Sequence, residues 1–222
     1  MPETTSVNKP KLFDIKLLPY DMAHGLMIFL GAFARPRKID AQGNKYKTKV
    51  PGGVLIVGNH VSFSDPLVYS NAFAYKRVWH LAAESVLRNK LRIALMTAGG
   101  AIRIDRNIAD VEAIRKCTKV IKGGHGVVMY PQGGIHADAD LSDIKSGAVF
   151  IAVQSKCPII PVYSEKPKHW YNRRLMVIGE PFIWQNYCSK RFPSVSETDE
   201  ISKELLKVMQ NLKEIHSKTL SK

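Results

Sequence analysis

The sequence predicts an α/β domain: a largely parallel central sheet flanked by helices, with an N-terminal interfacial helix beside it. Three observations predict it. Short apolar runs rich in β-branched residues, such as Val54–Val57, Val127–Tyr130 and Ile159–Tyr163, read as buried strands. Stretches with apolar residues at helical spacing alternate with them, the order of a parallel sheet with helical crossovers. His60, Arg106 and Gln132 each fall just after a predicted strand, and the crevice beyond the carboxyl ends of strands is where such sheets carry their sites. The chain has 222 residues, of which 45% are hydrophobic, enough for one sizeable core.

Residues 1–38 are expected to form an N-terminal tail and a membrane-interface helix, and residues 39–222 the folded domain. The first eleven residues are polar, so they are expected to be disordered and lack a signal peptide's apolar core. The apolar section Gly25–Ala34 has ten residues, about half of the roughly 20 a spanning helix needs. Arg35, Arg37 and Lys38 follow directly, and a short apolar helix with a basic flank suits a membrane interface; a helix packed on the domain is the equal alternative, and the two are compatible if one face packs and the other meets lipid. Ile39–Gly53 carries Lys45, Lys47 and Lys49, ends in Pro-Gly-Gly and reads as a connector.

The strand Val54–Val57 breaks at Gly58-Asn59 and presents His60. Asp65 followed by Pro66 reads as a helix start, with Asp65 as N-cap and Pro66 at N1. That helix runs to about Tyr75, and Val78–Ala82 is the next strand. In Glu84–Thr97 the residues Val86, Leu87, Leu91, Ala94 and Leu95 have helical spacing, and Gly99-Gly100 is the stop. Ala101–Ile104 is a short strand and Ile108–Lys122 a helix ended by Gly123-Gly124. Val127–Tyr130 runs into Pro131-Gln132-Gly133-Gly134, and Ser142–Lys156 reads as a helix. Ile159–Tyr163 and Leu175–Ile178 are the last strands. From Thr198 the tail is a helix with Ile201, Leu205, Val208, Leu212 and Ile215 on one stripe.

The net charge of +14 and a pI near 9.7 favour an anionic partner: nucleic acid, acidic lipid or a phosphorylated substrate. The basic residues are spread along the chain and no nucleic-acid-binding signature occurs, so no nucleic-acid partner is expected. Cys117, Cys157 and Cys188 have no paired spacing, which argues against a disulfide framework or a metal site and for a reducing compartment. A serine hydrolase using Ser62 or Ser64 lacks the G-x-S-x-G elbow.

His60 and Asp65 are the candidate chemistry. On a continuous helix, residues five apart differ by roughly 140° and do not face each other. A turn that opens a helix at Asp65 lets the imidazole lie against the carboxylate. A carboxylate on one ring nitrogen fixes the tautomer and leaves the other nitrogen free to take a proton. The pair is equipped as a general base.

Four stretches, in order, resemble the motifs of the glycerolipid acyltransferases, above all the bacterial 1-acyl-glycerol-3-phosphate acyltransferases. Asn59-His60-Val61-Ser62-Phe63-Ser64-Asp65 is similar to the first motif, a histidine and an aspartate separated by four residues. Gly100–Arg106 resembles the second, which ends in Asp-Arg. Tyr130-Pro131-Gln132-Gly133-Gly134-Ile135-His136 resembles the third, normally Phe-Pro-Glu-Gly-Thr-Arg-Ser, and Cys157–Val162 the fourth.

The resemblance implies acyl transfer from acyl-CoA or acyl-carrier protein, a donor substrate and not a cofactor, to a lysophospholipid hydroxyl. It implies His60 as base, Asp65 as its orienter and Arg106 as the contact to an acceptor phosphate. Gln132, Gly133 and Gly134 would bind substrate, with backbone N–H groups near the two glycines as candidate donors to the oxyanion. It also implies an enzyme at the cytoplasmic face of a membrane, peripheral or monotopic, against an anionic surface. The third motif departs from the family's: its glutamate is Gln132 and its Thr-Arg pair is Gly134-Ile135. These changes leave open an acceptor other than 1-acyl-glycerol-3-phosphate, or a non-catalytic lipid-binding relative. Retention of both His60 and Asp65 speaks against the latter.

Overall fold

The structure is a computed structural model. It describes residues 14–30, 35–83, 93–94, 96–97, 99–105, 110–135, 141, 143–167, 169, 172–188, 190 and 192–221.

Seven strands form one sheet in the order β1-β7-β6-β2-β5-β3-β4. They are β1 (Arg37–Ile39), β2 (Val54–Gly58), β3 (Val78–Ala83), β4 (Ala101–Ile104), β5 (Gly126–Met129), β6 (Ile159–Ser164) and β7 (Leu175–Ile178). Every neighbouring pair is parallel except β6–β7, which is antiparallel. The helices are α1 (Leu18–Leu30), α2 (Asp65–Ala72), α3 (Val111–Lys122), α4 (Gly147–Ser155) and α5 (Val195–Leu220), numbered among the described residues. The expected class, a mostly parallel sheet between helices, is what the chain adopts.

Strands buried on both faces read as unbroken apolar runs, and every residue of β2 is buried. Its side chains alternate between two cores, as the pleat requires. Val54 and Ile56 face Val68, Tyr69, Ala72 and Phe73 of α2 and the residue after it. Leu55 and Val57 face the opposite layer, where Cys117 and Ile121 of α3, Ala148 and Ala152 of α4, and Leu205, Met209 and Leu212 of α5 close the core. Removing one such leucine costs about 2–5 kcal/mol.

Some expectations shift. The stretch read as basic flank and connector contains β1, which pairs Arg37 with Leu175 and Ile39 with Val177 at the sheet edge. Three residues with one buried side chain carry too little periodicity to be legible. Helix α1 starts at Leu18, ahead of the apolar section, and residues 31–34 lie outside the described residues. Most of the helix expected over 84–97 also lies outside them. Helix α4 begins at Gly147, because Leu141 and Ile144 plug the core from an irregular segment tied back by the Lys145 N–H to the Pro131 carbonyl at 3.3 Å. Helix α5 begins three residues early, at a capping box of Ser194 and Glu197. Pro161 sits inside the sheet, an unusual place for a residue with no N–H. Its carbonyl accepts from the Gly179 N–H at 2.9 Å, so its missing donor faces the point where β7 ends and little ladder is lost.

Candidate active site

The loop from β2 to α2 is anchored before it is functional. Asn59 is fully buried; its Nδ2 donates to the Ser164 carbonyl at 2.7 Å and its Oδ1 accepts from the Ser164 N–H at 3.0 Å. This side-chain pair extends the β2–β6 ladder by one residue and fixes where the chain leaves the sheet. Gly58 lies against Tyr69: a Cβ there would stand 1.9 Å from the phenol oxygen. A glycine is therefore required for α2 to pack this close.

His60 Nδ1 and Asp65 Oδ2 are 2.6 Å apart, so the structure brings the expected pair together. Asp65 is not the helix N-cap; that position is Ser64, and Asp65 is the first helical residue. The carboxylate turns backward because its acceptors are used by the loop. Oδ2 also accepts from the N–H groups of Val61 at 2.8 Å and Ser62 at 3.0 Å. Oδ1 accepts from Arg174 Nη1 at 2.5 Å. Asp65 and Arg174 are both buried, and a buried carboxylate stays ionised only when paired and hydrogen-bonded. Burial pushes the Asp65 carboxyl up, but the His60 hydrogen bond, the Arg174 charge and the Ser62 N–H together hold it below the usual range. With Asp65 ionised, His60 carries its proton on Nδ1 and Nε2 is the nitrogen left to accept one. The imidazole stacks on Tyr130, with centroids 4.2 Å apart and planes at 14°. Tyr130 in turn meets Tyr69 edge-on.

Arg174 was not foreseen from the sequence. It arrives from the leading end of β7, 109 residues beyond its partner. The only available sign was an Arg-Arg pair before the last strand, a signal shared by many solvated loops.

The His60 ring opens onto an apolar cavity of about 530 Å³. Leu81, Ala82 and Ala83 of β3, Ala101 of β4 and Met96 line it, with Phe63, Gly134 and Ile135 as further walls beside His60. Phe63 is 84% exposed and Ile135 38%, so two large apolar groups stand at its opening. His80 also faces the cavity, and burial pushes its pKa down to about 3. It is therefore neutral, with Nε2 2.9 Å from Ser70 Oγ, and adds no charge.

Gln132, Gly133 and Gly134 lie in the turn after β5, beside the His60–Tyr130 stack. Gly133 has φ +76°, a backbone region that favours glycine. Its N–H donates to the Tyr130 carbonyl at 3.1 Å, so it closes the turn. Gly134 shares the cavity wall with His60. Arg106 and His136 lie outside the described residues. Among the described residues, no cluster of His, Cys, Asp or Glu has the arrangement of a metal site.

An α/β sheet whose central strand delivers a carboxylate-held histidine to the mouth of an apolar cavity defines a class of site: an oriented imidazole beside an apolar cavity. The family model described as Acyltransferase matches residues 38–165, more than half of the chain, and the chain belongs to that family. The chain is 30% identical over 115 residues to a 1-acyl-sn-glycerol-3-phosphate acyltransferase of Borreliella burgdorferi, covering 49% of this chain and 44% of that protein. It is 24% identical over 180 residues to the protein of that name from Bacillus subtilis, covering 79% and 87%. The chain spans about half the length of the first of these relatives and 57% of a third, from Streptococcus pneumoniae. The crystal structure of the 1-acyl-sn-glycerophosphate (LPA) acyltransferase PlsC from Thermotoga maritima shares the fold, with a TM-score of 0.59 at 18% identity, over 88% of this chain and 79% of that one.

Proposed function

We infer that this protein moves a fatty acyl group from a thioester donor, acyl-CoA or acyl-carrier protein, to the hydroxyl of a lysophospholipid, with 1-acyl-glycerol-3-phosphate as the leading acceptor. The observation that carries the reading is the His60–Asp65 pair at the wall of a large apolar cavity. His60 Nε2 takes the acceptor's hydroxyl proton as the oxygen attacks the thioester carbonyl. Asp65 holds the ring and balances the imidazolium that forms. The carbonyl oxygen becomes an oxyanion, for which the Gly134 N–H is the candidate donor. Collapse expels the thiolate, which takes the proton back from His60. The cavity houses the acyl chain, because its apolar walls recover about 25 cal/mol for each Å² of chain they cover.

The acceptor phosphate is assigned to Arg106. Ile135 stands at the cavity mouth where the related motif carries an arginine, so the acceptor site is less cationic than that motif implies.

A membrane face accompanies this reading. Ile15, Leu18, Met22, Leu26 and Phe29 are all exposed, at 42–74%, and recur every three or four residues on one side of α1 and the short turn before it. The opposite side is fixed to the domain: Tyr20 Oη donates to the Val78 carbonyl at 2.7 Å, and Asp21 makes a two-pronged ion pair with Arg77. No helix among the described residues is long and apolar enough to cross a membrane. An apolar stripe on a firmly attached helix suits lying in the interface.

The test is incubation of vesicle-reconstituted protein with palmitoyl-CoA or palmitoyl-acyl-carrier protein and a panel of lysolipids, read by mass spectrometry. A diacyl product that vanishes in His60→Ala is the expected result. Thioester hydrolysis with no lipid product, or equal turnover without His60, refutes the assignment.

A further inference from the structure

A basic pocket lies on the other side of the catalytic strand from the apolar cavity. It measures about 340 Å³, and Arg37, Lys38, Lys45, Tyr46 and Arg173 form its walls. Among the described residues no carboxylate lines it, and neither Arg37, Lys45 nor Arg173 pairs with one. The nearest acid in sequence, Asp40, has turned into its own hairpin, accepting from the N–H groups of Gln42 and Asn44. Lys38 is half-buried, with Nζ on the Ala72 carbonyl at 2.7 Å. Cations gathered without an acid repel one another, and a bound anion relieves that repulsion.

Its place in the sheet says which anion. In the order β1-β7-β6-β2-β5-β3-β4, His60 follows β2. The apolar cavity lies toward β3 and β4, and the basic pocket toward β7 and β1. Arg37 and Arg173 sit at the leading ends of β1 and β7. Because β7 runs against β6, these are on the same edge as His60. Arg173 and Arg174 are consecutive: one walls the pocket and the other holds Asp65 at 2.5 Å. Three inter-strand steps separate β1 from β2, about 14 Å at 4.8 Å each. A lysophospholipid's phosphate is only a few bonds from the hydroxyl that His60 deprotonates, too near to reach this pocket. An acyl thioester's sulfur is separated from its nearest phosphate by the long pantetheine arm, which spans a gap of this order.

We propose that the pocket of Arg37, Lys45 and Arg173 binds the phosphate at the far end of the acyl donor's pantetheine arm. The proposal rests on the thioester-donor reading above. Coenzyme A and acyl-carrier protein share this phosphate chemistry. The donor then lies along the sheet edge, its acyl chain in one pocket, its phosphate in the other and its thioester at His60.

The test uses the full chain in neutral detergent, with three palmitoyl donors: the coenzyme A thioester, the acyl-carrier-protein thioester and the phosphate-free pantetheine thioester. Calorimetric titration with coenzyme A itself needs no turnover. In Arg37→Ser/Lys45→Ser the KM for the coenzyme A thioester and the Kd of coenzyme A should rise at least about tenfold, the loss of charge-assisted contacts. The KM values for the pantetheine thioester and for the lysolipid should stay where they were. Arg173→Ser should act the same way, with an unchanged thermal midpoint showing that the fold survives. A loss shared by the carrier-protein thioester assigns the arm's own phosphate. A loss confined to coenzyme A assigns the nucleotide phosphates beside it; either supports the pocket. An unmoved Kd for coenzyme A overturns it, as does a rise in the lysolipid KM instead. An effect seen only on anionic vesicles overturns it too, and makes the patch a headgroup contact. If the parent transfers no acyl group the function assignment fails, while the titration still decides the pocket.

Discussion

At the scale of the residue, the site is a chain of three side chains, His60–Asp65–Arg174, of which the first two were legible in the sequence. Their spacing across a strand-to-helix turn was readable because turn chemistry is local. Arg174 was not, because its meaning depends on β7 running back along the sheet. His60→Ala should lower kcat by about 10²–10⁴ with little change in thermal midpoint, since the ring packs at the cavity wall and not in a core. Asp65→Asn should also be severe, through loss of the ionised acceptor that fixes the tautomer. Arg174→Met should cost about 3–5 kcal/mol, the usual result of stripping one partner from a buried ion pair, with Arg174→Lys recovering part. The pH dependence follows from Asp65, whose folded carboxyl is held below its ordinary value. Its contribution is present above the unfolded pKa and is lost as pH falls through the folded one. Without Arg174 the folded value rises, so the acid-unfolding midpoint of Arg174→Met should move to higher pH, measured by circular dichroism. An unmoved midpoint would mean that His60 and the loop N–H groups keep Asp65 ionised without Arg174. At the acceptor, Gln132→Glu/Ile135→Arg should shift competition assays toward lysophosphatidate relative to other lysolipids, and Ile135→Arg alone should do so less. No gain from the pair would leave the altered motif without a role in acceptor choice.

Elements were read as well as their periodicity allowed. The strands β2, β3, β5, β6 and β7 all lie where apolar runs placed them, within a residue or so at each end, because each is buried on both faces or nearly so, and β4, with one buried residue, lies where alternation placed it. Strand β1 was missed because an edge strand of three residues, with a basic and half-exposed pattern, looks like a connector. The early start of α5 was recoverable: Ser194-Val195-Ser196-Glu197 is a capping-box sequence. Two predictions belong here. Gly58→Ala puts a methyl into the Tyr69 ring, so α2 must lift. We expect a loss of about 1–3 kcal/mol from overpacking, and a fall in kcat because the His60 loop hangs from the displaced helix. Helix α1 is tested by Leu26→Glu/Phe29→Glu. Both side chains are exposed, so the thermal midpoint should hold. Partition onto vesicles, followed by sedimentation, should fall by about tenfold or more, since each buried side chain of this size contributes about 1.5–3 kcal/mol. Undiminished partition would put the membrane contact elsewhere.

For the whole molecule, the charge of +14 indicates the sign of charge a partner would carry but not where it would bind. Only the sheet order brings Arg173 to Arg37 and Lys45, from which it is far in sequence, to form one pocket. Net charge still has a bulk consequence: binding to anionic vesicles should exceed binding to neutral ones and weaken as salt rises. Equal binding at all salt concentrations would leave the apolar stripe as the whole attraction. Topology also gave way only in part. Alternation predicted a parallel sheet, while the single antiparallel pairing, β6–β7, turns on a strand four residues long that carries no local mark of its direction. That strand has a consequence in time. During synthesis the loop bearing His60 and Asp65 leaves the ribosome more than a hundred residues before Arg174 follows. Until then Asp65 has no guanidinium to bury against, and β2 gains its flanking neighbours only in turn, as β5 and then β6 emerge. The nascent chain therefore cannot close its own site early. Assembly waits for the last strand, and any factor that shields exposed apolar strands must act on the first two-thirds of the chain.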